Sequence, residues 1–341
     1  MKALIYKGPY KFELSDLPIP SPGPGEVLVR VGAVGICGSD VHGFAGKTGR
    51  REPGMVMGHE ISGTVAALGD GVNDLNIGHH VVIQPIIYCG SCDPCRKKMT
   101  SVCLNKKMIG VNMGIVGGLA EYIVVPATNA FLISDKIPLS SAALVEPFAV
   151  GAGAVERSSI KEGDTISIIG AGMIGQAVLA MARERNISKV FIVDQFPKKL
   201  IMAKKLGAIP INFKEVDPLE AIRAETNGFG VDVSFEAVGL AQTARLANSL
   251  SKVAGEIIWI GNSQKIIDID MQEIVVFAKT IKGTYCYTDE NFKSAIQFVE
   301  SNPDIAASFA EEKTDFYGAQ ELYTQLAKGE KDIFRAVVMI N

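Results

Sequence analysis

Four of the six cysteines of this 341-residue chain lie in one short segment, at Cys89, Cys92, Cys95 and Cys103. The first three are too closely spaced to form a natural disulfide framework. Four thiolates at this C-x2-C-x2-C-x7-C spacing can instead surround a Zn2+ ion tetrahedrally, which leaves no position for a substrate. The bacterial ferredoxin motif has a shorter last spacing and a proline after its final cysteine, where this chain has Leu104. The spacing therefore predicts a structural zinc site, with disulfide-bonded or unligated thiols as the alternative.

A second set of possible metal ligands precedes this segment. Cys37 lies in the stretch from Gly35 to His42, and His59 is followed directly by Glu60. Cysteine and histidine suit zinc, and Glu60 or a distant carboxylate could complete the ligand shell. A catalytic zinc keeps about three protein ligands and an open position. A cysteine and a histidine this far apart are more often core residues, so these residues alone leave both interpretations open.

A glycine-rich turn at residues 170–175 (GAGMIG) fits the G-x-G-x-x-G pattern, between a predicted strand and a predicted helix. Its glycines permit a tight turn, a close approach of the backbone to a pyrophosphate, and close packing of helix and strand. At the end of the next strand, Asp194 would bind the adenosine ribose hydroxyls and repel a 2′-phosphate, which favours NAD. Lys198 and Lys199 lie near it, so NADP remains the alternative. The candidate cofactor-binding residues are Gly170, Gly172, Met173, Ile174, Gly175 and Asp194.

Two patterns of secondary structure must position these residues. The first third predicts a β-rich domain of short strands joined by glycine- and cysteine-rich loops. Its predicted strands cover residues 26–34, 80–83 and 120–125. From about Pro147, strands alternate with helical segments such as 174–185 and 198–206, which predicts a doubly wound parallel sheet of α/β class. The predicted strands here cover residues 165–169, 189–194, 231–235 and 256–260. The tail after about Lys282 has mixed patterns and could rejoin the first domain.

Charge and hydrophobic patterning exclude two classes of partner. The chain has 34 basic and 37 acidic residues and a formal net charge of −3, so it offers no electrostatic surface for nucleic acid or an anionic membrane. The longest charge-free apolar stretch, residues 165–182, contains glycines and changes period, which indicates a strand, turn and helix rather than a membrane span. The first apolar run is too short for a signal peptide, and we expect a cytoplasmic protein.

The sequence around His59 resembles the zinc-dependent medium-chain dehydrogenase/reductase family, the alcohol dehydrogenase superfamily. The stretch from Gly58 to Val72, GHE-x2-G-x5-G-x2-V, is similar to the zinc signature of that family at every fixed position. With the four-cysteine segment and the glycine turn, the resemblance covers essentially the whole chain. It implies a GroES-like catalytic domain of residues 1–147 and 283–341, and a Rossmann NAD-binding domain of residues 148–282.

The resemblance also implies the composition of a catalytic zinc site. Glu146 stands before Pro147 where other alcohol dehydrogenases have a cysteine, as in the polyol (sorbitol-like) branch and in butanediol and some sugar-acid dehydrogenases. Cys37, His59 and Glu146 are therefore implied zinc-site residues. Glu60 is implied as the carboxylate that binds the metal directly or exchanges with water.

Other family residues concern the substrate. Ser39 would pass the proton of the substrate hydroxyl towards the cofactor ribose and His42. Sorbitol dehydrogenases have an arginine where this chain has Thr284, which argues against sorbitol itself. Phe44 and Tyr285 either line a different pocket or are ordinary packing aromatics.

The implied activity is that of a zinc- and NAD-dependent oxidoreductase, with one catalytic and one structural zinc per chain. It would transfer a hydride between the nicotinamide and a secondary alcohol such as a polyol, sugar alcohol, sugar acid or cyclitol. The alternatives are a butanediol-type diol dehydrogenase and a non-catalytic NAD-binding protein with structural zinc only. The family also implies a homo-oligomer, either a dimer or a tetramer.

Overall fold

The structure, a computed structural model, describes residues Met1–Ile340. The strands in this range are β1 (Lys2–Gly8), β2 (Lys11–Asp16), β3 (Glu26–Gly35), β4 (Glu60–Leu68), β5 (His80–Ile83), β6 (Ile86–Ile87), β7 (Lys107–Met108), β8 (Tyr122–Pro126), β9 (Ala130–Leu132), β10 (Thr165–Ile169), β11 (Lys189–Asp194), β12 (Ile209–Asn212), β13 (Val231–Glu236), β14 (Ser251–Trp259), β15 (Thr280–Gly283), β16 (Ala310–Thr314) and β17 (Arg335–Met339).

The α-helices in the same range are α1 (Gly38–Phe44), α2 (Asp93–Arg96), α3 (Leu139–Ala142), α4 (Val145–Arg157), α5 (Met173–Arg183), α6 (Pro197–Lys205), α7 (Pro218–Glu225), α8 (Ala241–Leu250), α9 (Met271–Val276), α10 (Asp289–Ser301), α11 (Pro303–Phe309) and α12 (Phe316–Lys328). Short 3-10 helices cover Thr100–Val102 and Ala127–Asn129.

The chain divides into two compact units. The first contains Met1–Glu146 and the chain from Phe292 onward, and the second contains Pro147–Asn291. The sequence placed the second division earlier, between residues 282 and 283. The residues after β15 belong to the second unit because Gly153 of α4 closely approaches the backbone of Cys286 and Tyr287.

A seven-stranded sheet forms the framework of the first unit. Its order is β16-β17-β3-β4-β5-β9, with β8 also paired to β3. Val27, Val29 and Val31 of β3 are at most 1% exposed while Arg30 is exposed, because successive side chains of a strand point to opposite faces. These valines belong to the main apolar core of this unit. The predicted β-rich domain is confirmed.

A six-stranded parallel sheet forms the second unit, in the order β12-β11-β10-β13-β14-β15. The central strand β10 is buried from Ile166 to Ile169, as expected for a strand covered on both faces. Its one polar residue there, Ser167, shares a 2.6 Å hydrogen bond with Ser234 of β13, since buried hydroxyls need partners. This strand order is that of a doubly wound Rossmann sheet, and the predicted α/β class is confirmed.

The apolar stretch at residues 165–182 forms β10, the glycine turn and most of α5. Among the helices of residues 1–340, none has both the length and the apolar character that crossing a bilayer requires.

Candidate active site and metal centres

The four-cysteine segment, between β6 and β7, folds so that its sulfur atoms face one another. The Cys92 Sγ atom lies 3.4 Å from Cys95 Sγ and 3.8 Å from Cys103 Sγ. Cys103 Sγ lies 3.5 Å from Cys89 Sγ, and all four sulfur atoms lie within 4.8 Å of one another. The backbone N–H groups of Cys89 and Asn105 each donate to Cys103 Sγ at 3.4 Å. The fold thus brings together the four residues that the spacing predicted would meet.

The electrostatics of this cluster fit a bound cation. Hydrogen bonds from the backbone of Ser91 and Cys92 lower the pKa of Cys89 to about 5. Burial and the neighbouring thiol of Cys92 raise the pKa of Cys95 to about 12. Four thiolates so close together would repel one another, and a cation removes that repulsion. A donor set of four sulfur atoms is one that structural Zn2+ takes.

The antiparallel pairing of β3 with β4 builds the second candidate centre. Gly35 at the end of β3 pairs with Glu60 at the start of β4, and Cys37 follows as the residue before α1. One ligand atom each of Cys37, His59 and Glu60 therefore lies within 4.8 Å of the other two. A Cβ atom at position 35 would meet the Glu60 carboxylate, so Gly35 leaves room for that side chain.

His59 is oriented by a carboxylate that sequence reasoning missed. Its Nδ1 atom lies 2.9 Å from Oδ2 of Asp40, a residue of α1 whose side chain is fully buried. The other oxygen of Asp40 accepts hydrogen bonds from Arg51 Nη2 at 2.5 Å and from Arg51 Nε at 3.2 Å. The position of Asp40 three residues after Cys37 was an available signal, whereas nothing in the sequence pointed to Arg51.

Burial and charge shift the pKa values of these groups in opposite directions. Burial lowers the pKa of His59, but the charges of Asp40 and Cys37 outweigh it and raise that pKa well above its ordinary value. Burial would raise the pKa of Cys37, yet the charge of His59 holds it at about 7. Burial would also raise the pKa of Asp40, and the charges of His59 and Arg51 bring it to about 2. Asp40 is therefore ionised at neutral pH.

Glu60 is paired with a second buried arginine that the sequence did not indicate. The Arg335 Nη2 atom lies 3.2 Å from Glu60 Oε1, and Nη1 donates to the Ile36 carbonyl oxygen at 3.0 Å. Burial raises the pKa of Glu60 well above its usual value, although Arg335 acts in the opposite direction. Neither oxygen of Glu60 accepts a hydrogen bond within residues 1–340, so the carboxylate, although paired with Arg335 through Oε1, still has an oxygen able to bind a cation. Arg335 begins β17, and pairing of β17 with β3 carries it to this site.

Glu146, the fourth residue implied as a ligand, lies near this group but outside it. It is 6% exposed and is the second residue of α4. It does not belong to the set whose ligand atoms lie within 4.8 Å of one another. Its charge still raises the pKa of Glu60, so it contributes to the electrostatics of the centre.

The donor set of this centre fits a divalent cation. Cys37 offers a sulfur atom, His59 a ring nitrogen and Glu60 a carboxylate oxygen, and these ligand atoms lie within 4.8 Å of one another. His59 and Glu60 are buried, and the Glu60 Oε2 atom has no hydrogen-bond partner within residues 1–340. A buried polar atom without a partner is costly, and a Zn2+ ion bound to sulfur, nitrogen and oxygen donors would supply the partner.

Ser39 and His42 lie on α1 beside the Cys37 centre, and both are exposed. The Ser39 hydroxyl donates to Cys37 Sγ at 3.4 Å. Residues three apart on a helix share a face, so the hydroxyl and the imidazole are neighbours on α1.

The glycine turn has the geometry of a dinucleotide-binding loop. Gly170 has a φ of +97°, and a Cβ atom at Gly175 would clash with its carbonyl oxygen. A Cβ atom at Gly172, just before Met173 and Ile174 open α5, would meet no atom, so this position borders open space. The Asp194 carboxylate accepts a hydrogen bond from Ala171 N at 2.7 Å, and its other oxygen accepts from the next two backbone N–H groups. The open space and free helix N–H groups fit a phosphate.

Phe44 is a packing aromatic. It is fully buried in the first unit and stacks on Phe12 with ring centroids 4.7 Å apart, beside Tyr6 and Tyr323. The interpretation of Phe44 as a pocket residue is therefore wrong. Tyr285 is 40% exposed.

Comparisons with known proteins agree with this arrangement. Residues 23–135 match the alcohol dehydrogenase GroES-like domain family, and residues 174–301 match the zinc-binding dehydrogenase family. The chain is 33% identical to sorbitol dehydrogenase of Bacillus subtilis over 308 residues, which cover 88% of this chain and 86% of that protein.

Solved structures show the same fold. An oxidoreductase/dehydrogenase of unknown specificity from Escherichia coli superimposes with a TM-score of 0.95 at 29% identity, covering 100% of this chain and 99% of that one. A short chain alcohol dehydrogenase from E. coli CFT073, complexed with NADH, superimposes with a TM-score of 0.89 at 27% identity, covering 99% of each chain. The chain therefore belongs to the zinc-dependent alcohol dehydrogenase superfamily and is an oxidoreductase of that family.

Proposed function

We propose that this enzyme oxidises a secondary alcohol of the polyol class, with a catalytic zinc held by Cys37 and His59 and with NAD as hydride acceptor. The observation that carries the proposal is the group of Cys37, His59 and Glu60, whose sulfur, nitrogen and oxygen ligand atoms lie within 4.8 Å of one another. Similarity to a sorbitol dehydrogenase supports the substrate class.

Each metal centre has its own donors. Cys37 and His59 would bind the catalytic zinc with Glu60 or Glu146 as the third ligand. The four cysteines 89, 92, 95 and 103 would hold a structural zinc. When bound, zinc would polarise the alcohol oxygen and lower the pKa of the hydroxyl, as it lowers the pKa of bound water from about 15.7 to about 7. NAD would accept the hydride.

The proton of the alcohol leaves through α1. The Ser39 Oγ atom accepts the substrate hydroxyl proton and passes its own proton towards the cofactor ribose and the exposed imidazole of His42, three residues along the same helix. The hydrogen bond from Ser39 to Cys37 Sγ keeps this hydroxyl beside the metal ligand.

The second unit binds the dinucleotide. Gly170, Gly172 and Gly175, with Met173 and Ile174 at the start of α5, surround the pyrophosphate, and Asp194 favours NAD over NADP by repelling a 2′-phosphate. In this assignment the first unit, which contains Met1–Glu146 and the chain from Phe292 onward, is the catalytic domain, and the second unit, Pro147–Asn291, is the NAD-binding domain. Similarity to a dehydrogenase structure complexed with NADH supports dinucleotide binding by this chain.

A single experiment tests the proposal: zinc content per chain, measured with NADH production from a panel of polyols, sugar acids and vicinal diols. Two zinc ions and turnover of a polyol or sugar acid support it. Turnover confined to small diols indicates a butanediol-type dehydrogenase, an alternative that agrees with the presence of Thr284 where sorbitol dehydrogenases have an arginine. One zinc ion and no turnover indicate a non-catalytic NAD-binding protein.

The enzyme works as a homo-oligomer, a dimer or tetramer, in the cytoplasm. β15 is an edge strand of the parallel sheet, and the preceding helix α9 exposes Met271, Val275 and Val276 at 70–72%. A second copy of the chain would cover both the strand edge and these side chains. The reducing cytoplasm keeps cysteine thiols available as zinc ligands.

A further inference from the structure

Arg51 is a buried charged residue at the Cys37 centre to which the proposed chemistry assigns no role. It lies between α1 and β4, in a segment without regular structure, and its side chain is 3% exposed. Two of its nitrogen atoms, Nε and Nη2, contact the same oxygen of Asp40. The other oxygen of Asp40 thereby remains for His59 Nδ1, 2.9 Å away.

This arrangement settles which nitrogen of His59 faces the metal ligands. With Nδ1 directed at Asp40, Nε2 is the nitrogen that remains for a metal. A carboxylate that bridges to a ligating histidine fixes the orientation and tautomer of the imidazole. A fully buried carboxylate with one partner could present either oxygen, and the two-nitrogen contact from Arg51 selects one of them.

The fold leaves space for this arginine at one position. A Cβ atom at Gly43 of α1 would clash with Cγ of Arg51. Gly43 is also fixed in place, because its carbonyl oxygen accepts a hydrogen bond from the buried Tyr6 hydroxyl at 3.2 Å. A buried ion pair is weak evidence of a contribution to stability, since apolar residues of similar volume often stabilise a protein equally well. The contact between Arg51 and Asp40 therefore needs an explanation other than stability.

We infer that Arg51 is a positioning residue for the catalytic metal: it fixes the Asp40 carboxylate, which in turn orients His59 towards the ion. This inference rests on the proposed catalytic zinc. Loss of a partner in such an outer shell typically weakens metal binding by about 10- to 100-fold.

The test uses Co2+ as a spectroscopic probe in the full chain. The spectrum of the Cys37→Ser variant contains only the four-cysteine centre, so subtracting it isolates the Cys37 centre. In Arg51→Met we expect altered cobalt bands in this difference spectrum and about 10- to 100-fold weaker binding of the second ion. Arg51→Lys restores the charge without the two-nitrogen contact, and we expect a smaller change.

Two further variants separate positioning from stability. Gly43→Ala keeps the arginine but displaces it, so its spectrum should change in the same direction as that of Arg51→Met. Lys279→Met removes a comparable lysine in the second unit, 3% exposed and 2.9 Å from Glu273, and should lower stability without altering the spectrum. If the cobalt bands and the affinity are unchanged in Arg51→Lys and Gly43→Ala, the inference about Arg51 is wrong, while the proposed function still stands. Absence of any second ion in the unmodified chain would instead overturn the proposed function.

Discussion

Cys37 is the residue on which the proposed chemistry depends most directly. A serine hydroxyl does not ionise near neutral pH, so Cys37→Ser removes the sulfur donor and its negative charge from the centre. We expect turnover to be abolished and the metal content to fall from two ions to one. The fold should persist because the four-cysteine centre is separate in sequence and keeps its own ion.

Zinc analysis, circular dichroism and steady-state rates measure these effects together. Cys286, which lies outside both predicted metal sites, offers the matched control, and Cys286→Ser should keep both ions. Retained activity in Cys37→Ser would refute the catalytic-zinc assignment.

Asp194 is the residue that should determine cofactor choice. Asp194→Ser removes the charge that would repel a 2′-phosphate, so the preference for NAD over NADP should fall by at least about tenfold, or 1.4 kcal/mol. NAD binding should also weaken, because Asp194 anchors the glycine turn through Ala171 N.

Kd values for both cofactors, from fluorescence titration of their reduced forms, check this prediction. Asp217→Ser is the control, because Asp217 is another carboxylate of the same unit whose N-cap hydrogen bonds a serine can replace. An unchanged preference in Asp194→Ser would show that other residues discriminate between the cofactors.

At this scale the sequence identified ligand types but not the residues that hold them. The four cysteines could be predicted because metal ligation restricts residue type and spacing, whereas Cys37 and His59 were predicted only through the resemblance of the sequence around them to a family signature. Asp40, Arg51 and Arg335 could not, because each acts through a contact that only the sheet register and a loop create. The sequence also left open whether Phe44 lines a pocket or packs in the core, since its burial depends on contacts with Phe12 and Tyr323, which are distant from it in sequence.

At the scale of elements, strands with continuous apolar runs were the easiest to predict. β5, β10 and β11 have the predicted bounds. A strand buried on both faces is a nearly continuous apolar run, so the first and last residues of the run indicate where the strand begins and ends. β4 was not predicted, although it carries Glu60. Its glycine and small residues give a weak strand pattern, and Gly63 is needed where the backbone of Arg30 on β3 approaches closely.

The turn between β10 and α5 allows cofactor binding and stability to be separated. Gly175→Ala would place a methyl group against the Gly170 carbonyl, so it should cost about 1–3 kcal/mol of stability and weaken NADH binding. Gly172→Ala adds a methyl group in open space, so stability should change by less than about 0.5 kcal/mol while NADH binding still weakens.

Thermal unfolding and NADH titration of both variants check the pair. The prediction is that both variants bind NADH more weakly but that only Gly175→Ala loses stability. If Gly172→Ala binds NADH as tightly as the unmodified chain, the pyrophosphate does not approach this turn.

At the scale of the whole molecule, β15 is an edge strand of the parallel sheet whose outer backbone groups could pair with a second chain. Pairing of β15 with its own copy about a twofold axis would satisfy the backbone groups of both edges and cover the valines of α9. Val275→Glu with Val276→Glu would bring like charges together across that axis, and we expect the assembly to dissociate.

Light scattering coupled to size exclusion measures this as a change in mass relative to the 36.4 kDa chain. Ile201→Glu is the control, because Ile201 is 58% exposed on α6, beside the opposite edge strand β12, and its replacement should leave the assembly intact. Retention of the original mass by the α9 double variant would show that the copies meet through another surface. A monomeric unmodified chain would exclude the homo-oligomer, and since every proposed ligand and cofactor residue belongs to one chain, activity would then be expected from the monomer.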